Sequence, residues 1–150
     1  MTATIQIEDP DQPDIIALLR AADQWYATLY PAESNHLLDV ATLRQPDVAF
    51  FAARQEGVLL GCGAVADRGA YAEIKRMYLN RAARGRGIGR RILQALEDHA
   101  VANGRRCFRL ETGIHQPEAI GLYRAAGYRD IAPFGDYRPD PLSLFMEKTL

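Results

Sequence analysis

Residues 84 to 90 read Arg84, Gly85, Arg86, Gly87, Ile88, Gly89, Arg90. They join a run patterned as a strand, ending at Leu79, to a run patterned as a long helix, starting at Gly87. Glycines let the backbone turn so that successive N–H groups converge on one anion. The first turn of the helix adds the positive end of its dipole, and the arginines add charge-assisted hydrogen bonds. The stretch therefore reads as a phosphate cradle. Two familiar phosphate loops are excluded by the spelling: a dinucleotide G-x-G-x-x-G needs glycine where Arg90 stands, and a nucleoside-triphosphate loop needs a G-K-[S/T] that does not follow.

Upstream of the cradle, Ala72 to Leu79 reads as a strand. Its period-two alternation predicts Glu73, Lys75, Met77 and Leu79 on one face and Ile74, Arg76 and Tyr78 on the other. Before it, Val48 to Arg54 and Val58 to Val65 form a hairpin around Gln55, Glu56 and Gly57. Nearer the start, Thr4 to Glu8 is a short strand. Pro13 then opens a helix in which Ile15, Ile16, Leu18, Leu19, Ala22, Trp25, Tyr26 and Leu29 recur at three- and four-residue spacing until Pro31 ends it. Ser34 is placed to cap a second short helix through Leu43.

Downstream, the long helix runs to about Asn103 on a stripe of Ile88, Ile92, Ala95, Leu96 and Ala100, with Gly104 placed to end it. Arg106 to Glu111 is a strand, and Pro117 opens another helix that Gly127 ends. Tyr128 to Pro133 and Leu142 to Glu147 add two strands, separated by an irregular loop bearing Gly135, Pro139 and Pro141. Strands and helices thus mix through one domain over residues 1–150, a mixed α/β class.

The 150 residues are 48% hydrophobic and 25% charged. A chain of this length buries roughly 68–70% of its unfolded surface, so it needs neither disulfide nor metal to hold together. Cys62 and Cys107 fit small buried side chains in a reducing cytoplasm. No secretion signal or membrane span is expected. The net charge of −1 argues against a nucleic-acid binder, yet residues 75 to 91 hold seven Lys and Arg and no acid. That local excess points to an anionic ligand.

The spacing Arg84-x-x-Gly87-x-Gly89 is followed by Ala119, Ile120, Leu122, Tyr123, Gly127 and Tyr128 in an A-I-x-L-Y-x-x-x-G-Y arrangement. Together the two motifs resemble the GNAT N-acetyltransferase superfamily, closely from about Val48 to Leu150 and more loosely before. The resemblance implies a twisted, mostly antiparallel sheet of six or seven strands with a splayed central pair, flanked by about four helices. It also implies acetyl-CoA as acetyl donor, with no metal. Arg84, Gly85, Arg86, Gly87, Ile88, Gly89 and Arg90 would hold the pyrophosphate, and the backbone of Met77, Tyr78 and Leu79 the pantetheine.

The same resemblance assigns two proton-handling residues. Glu73 stands eleven positions before Arg84, as the general base does in the histone-acetylating branch. An acceptor amine with a pKa near 10 arrives protonated and needs such a base. Tyr123 would protonate the departing thiolate. Where the family often has an asparagine before the last helix, this chain has His115 and Gln116, so Gln116 is the substitute contact and His115 an alternative acid or base. Tyr30, Glu33 and His36 lie where the family lines its acceptor pocket. Lys75 and Arg76 are placed to hold a substrate carboxylate, and the Phe134, Gly135, Tyr137 segment to close over the site.

The expected enzyme transfers acetyl directly to the amine of a small, amino-acid-like molecule, without nucleic acid or membrane as partner and with room for a homodimer. A protein or peptide N-acetyltransferase and a non-catalytic acyl-CoA sensor are the rival readings. Both proton-handling residues favour the enzyme, because a sensor needs neither.

Overall fold

The computed structural model describes residues 2–34 and 39–150. In chain order the elements are β1 (Thr4–Ile7), α1 (Pro13–Leu29), a 3-10 turn (Ala32–Ser34), α2 (Val40–Leu43), β2 (Val48–Gln55), β3 (Val58–Asp67) and β4 (Ala72–Leu79). A second 3-10 turn (Arg81–Ala83) follows, then α3 (Ile88–Ala102), β5 (Cys107–Gly113), α4 (Pro117–Ala125), β6 (Arg129–Ile131) and β7 (Ser143–Thr149). The strands form one sheet in the order β1-β2-β3-β4-β5-β7-β6. Every neighbouring pair is antiparallel except β4 and β5. That parallel pair is joined by the α3 crossover, as parallel strands require.

β4 and β5 pair only from Ala72 with Phe108 to Ile74 with Leu110, then separate. Two features hold them apart. β5 continues its ladder on β7 as far as Gly113, and β4 is bulged where the pairing stops. Across the bulge, Gly63 of β3 stands opposite two residues, Arg76 and Met77, with Arg76 at φ +57°. A non-glycine residue in this region carries strain of about 1–3 kcal/mol. An ion pair to Asp23 at 2.6 Å and a Cys62 thiol donating to the Arg76 carbonyl at 3.3 Å hold it there.

The bulge corrects the alternation read from sequence. One extra residue reverses which face the rest of a strand presents. Ile74, Met77 and Leu79 therefore pack on the α3 side, while Glu73, Lys75 and Tyr78 share the other. On the α3 side, Ile88, Ile92, Leu93, Leu96, Phe108, Leu110 and Met146 make the main core. On the other, α1 and α2 bury Ile15, Leu18, Leu19 and Leu43 against Phe50, Cys62 and Ala64.

A second correction concerns Ser34. The described cap of α2 is Asp39, which accepts from the Thr42 amide at 2.8 Å, whereas Ser34 ends the 3-10 turn and donates to Asp140 at 2.7 Å. His36 lies outside the described residues.

Candidate active site

The loop between β4 and α3 borders a cavity of about 340 Å³ that also reaches Leu79, Pro117, Ala119, Leu122 and Tyr123. Gly85 and Gly87 both sit at φ +76°, in the left-handed region where glycine is favoured. A Cβ on Gly87 would meet no atom within 4 Å, so open space lies in front of the α3 N-terminus, as an anion cradle requires. Gly89 serves packing instead: its Cβ would fall 3.4 Å from Leu79 and 3.5 Å from Leu122.

The arginines of the loop divide their work. Arg84 turns back, donating to the Leu79 carbonyl at 3.3 and 3.4 Å, with its guanidinium over the Trp25 and Tyr78 rings at 5.6 and 5.8 Å. Arg90 lines the cavity from the exposed side. Arg86 points away, donating to Gln55 at the end of β2, and Ile88 is buried in the main core while bordering the cavity. Sequence reading placed Trp25 and Tyr26 on the apolar stripe of α1 and did not assign them to the site, yet both border the same space.

A smaller cavity of about 70 Å³ opens where β4 and β5 part, lined among others by Tyr30, Ser34, Lys75, Arg76 and Glu111. Tyr26, Met77, Gln116 and Tyr123 line both cavities, so the two meet at Tyr123. Tyr123 is buried, and burial holds its phenol well above the usual tyrosine range; it stays protonated and able to donate. Tyr30 gathers the neighbouring loop: its hydroxyl accepts from the His115 amide at 3.1 Å and from Gln116 at 3.3 Å, and its ring stacks on the His115 imidazole. The Tyr30 ring occupies the place a side chain on Gly113 would take. Glu33 lies exposed on the 3-10 turn.

Glu73 is buried. One carboxylate oxygen accepts from Arg68 Nε at 3.1 Å and the other from the Tyr137 hydroxyl at 2.6 Å. Lys75 Nζ donates to that same hydroxyl at 2.7 Å and lies 3.7 Å from Glu73. Burial draws the Lys75 ammonium below the usual lysine range, opposed by attraction to Glu73 and Glu111. The Tyr137 phenol is pushed above its usual range by burial and by the neighbouring Glu73 charge. Aromatic edges of Phe134 and Phe145 seat the Tyr137 ring. The loop carrying it is tied across to the first 3-10 turn by Ser34 and Asp140.

Lys75 and Arg76, neighbours in sequence, are parted by the bulge. Lys75 joins the C-terminal loop, whereas Arg76 reaches α1, where Asp23 takes one guanidinium nitrogen while its buried Nε has no hydrogen-bond partner among the described residues. Arg68 and Glu111 were not singled out from sequence; each is brought in by a neighbouring strand end. Burial pushes the Cys62 thiol up to about 12, far from a reactive thiolate, and raises that of Cys107. Among the described residues there is no His, Cys, Asp and Glu group able to hold a metal, and no helix long and apolar enough to cross a membrane.

A model of the Acetyltransferase (GNAT) family matches residues 15–128. The chain is 51% identical over 149 residues to a protein of Azospirillum brasilense named IAA acetyltransferase, covering 98% of this chain and 97% of that one. A solved structure from Klebsiella pneumoniae subsp. pneumoniae MGH 78578, described as an acyl-CoA N-acyltransferase, is 39% identical with a TM-score of 0.87, over 99% of this chain and 97% of that one. PaiA N-acetyltransferase of Thermoplasma acidophilum, crystallised with coenzyme A, shares the fold at 19% identity and a TM-score of 0.77, over 100% of both chains.

Proposed function

The chain belongs to the GNAT acetyltransferase family and is an acetyl-CoA-dependent N-acetyltransferase, and from that premise we propose that its acceptor is the primary amine of a small, amino-acid-like molecule, acetylated by direct transfer. The observation that carries the reading is the meeting of the two cavities at Tyr123. The larger one has the glycine loop and helix N-terminus suited to the pyrophosphate. The smaller one has carboxylate, ammonium and guanidinium groups suited to a zwitterion.

Acetyl-CoA supplies the activated thioester. Gly85 and Gly87, with Arg84 and Arg90, would hold its phosphates; the backbone of Met77 to Leu79 would hold its arm. Glu73 takes the proton that an amine with a pKa near 10 carries at neutral pH. The freed nitrogen would bond to the acetyl carbon as the carbon–sulfur bond breaks; Tyr123, kept protonated by burial, would give its proton to the departing sulfur and regain one from the nitrogen, which sheds its surplus proton on becoming an amide. The buried Nε of Arg76, without a hydrogen-bond partner among the described residues, offers a donor to a substrate carboxylate, and an unsatisfied buried donor rewards such a partner. Neither cysteine is suited to carry the acyl group.

The test is coenzyme A release across a panel of amino acids, polyamines, short peptides and IAA, the last included because of the relative named for it. Acetyl-CoA binding is measured in parallel by calorimetry. Release with small amino-acid-like amines is expected. Release with peptides alone would move the acceptor to a protein N-terminus or lysine. Binding without release to any amine would overturn the acceptor reading.

A further inference from the structure

We propose that Lys75, Tyr137 and Glu73 form a directed proton relay in which Lys75 faces the acceptor amine and Glu73 is the terminal proton store. The inference rests on the reading above, in which the amine proton ends on Glu73, and adds how it gets there.

The hydrogen bonds run one way. Lys75 Nζ donates to Tyr137 Oη at 2.7 Å, and Tyr137 Oη donates to Glu73 Oε2 at 2.6 Å. The direct approach of Lys75 to Glu73, at 3.7 Å, is longer than either, so the short path passes through the phenol. Lys75 lines the smaller cavity beside Tyr123, while Glu73 and Tyr137 stand behind it. The Lys75 and Glu73 side chains are only 9% and 4% exposed, which leaves little access for bulk water to carry the proton between them. Arg68 holds the other Glu73 oxygen, which leaves Oε2 to the phenol.

The proton balance is closed. Lys75 passes a proton to Tyr137 as Tyr137 passes its own to Glu73. Neutral Lys75 then takes a proton from the acceptor ammonium, and the amine is left with a free electron pair. One proton has moved from amine to Glu73, and Lys75 and Tyr137 return to their starting forms. The groups facing Lys75 are Glu73 on its own strand, Arg68 before that strand, Glu111 on β5 and Tyr137 on the C-terminal loop. Burial makes the ammonium easier to discharge, and the two carboxylates keep it loaded at rest.

Tyr137→Phe keeps the ring between Phe134 and Phe145 and removes only the middle oxygen. With the best acceptor from the panel, kcat is expected to fall about 100-fold at pH 7, to recover toward wild type as pH approaches 10, and to do so with acetyl-CoA affinity unchanged. Lys75→Met, which leaves the loop in place, gives the same pH shape and serves if Tyr137→Phe does not fold. Side-chain nitrogen NMR of the free protein supplies a readout that needs no turnover: the Lys75 Nζ titration midpoint moves in Tyr137→Phe and in Glu73→Gln. A wild-type kcat profile in Tyr137→Phe, or in Lys75→Met where the former does not fold, overturns the relay. So does a Lys75 midpoint indifferent to Tyr137 and Glu73. If the wild type acetylates no amine, the acceptor reading falls, and the NMR result alone decides whether the three groups are linked.

Discussion

Two clusters of glutamate, tyrosine and lysine lie on opposite sides of the sheet and differ in which member sits in the middle. On the α3 side, Glu97 is central: its two oxygens accept separately from Tyr128 at 2.8 Å and Lys148 at 2.7 Å. Both donors end on the same acceptor, so the carboxylate is satisfied and no chain of hydrogen bonds passes through. On the other side Tyr137 is central, accepting from Lys75 and donating to Glu73. The same three residue types therefore make an anchor in one place and a conduit in the other. Glu97 fastens α3 to the β6 and β7 end of the molecule; Glu73 communicates through Lys75 with a cavity.

The comparison can be broken first at Glu73. Glu73→Gln is expected to lower turnover about 100- to 10,000-fold at neutral pH, with recovery as pH rises and the acceptor's free-amine fraction grows tenfold per unit below its pKa. Circular dichroism should show an intact fold, and a variant with wild-type turnover would make the Glu73 cluster another anchor. Next in size is Glu97→Ala, which strands Lys148 and Tyr128. Urea denaturation should show a loss of about 3 kcal/mol, while turnover per folded molecule stays within about twofold. The smallest effect is expected for Tyr128→Phe, about 1 kcal/mol of stability with no change in the pH profile of kcat. A changed profile there would erase the distinction between the two clusters.

Much of the site was legible because its signals are local. Gly85 and Gly87 announce the loop through backbone requirements that do not depend on distant partners, and the Tyr123 helix carries its own first-turn proline and terminal glycine. Glu73 was picked out by the family resemblance, through its spacing of eleven positions before Arg84, in a strand that also carries Lys75 and Arg76. Its partners were less visible. Tyr137 was placed near the site by its position after Phe134, but no periodicity could say that its hydroxyl falls between Glu73 and Lys75, sixty-four and sixty-two positions away. Arg68 and Glu111 carried no pattern of their own.

The amino-acid sequence by itself determined the order of strands and helices, the glycine-rich loop before α3 and the residue types available for proton transfer, because propensity, periodicity and turn chemistry act over a few neighbouring residues. Tertiary structure alone decided which way β4 faces beyond Arg76. A bulge arises from pairing with β3, and the ion pair and thiol contact that hold it come from α1 and β3. It also decided that one glutamate would be closed off and another connected. That choice depends on angstrom-scale distances between groups brought together from remote parts of the chain, and side-chain packing sets those distances only once the sheet has formed.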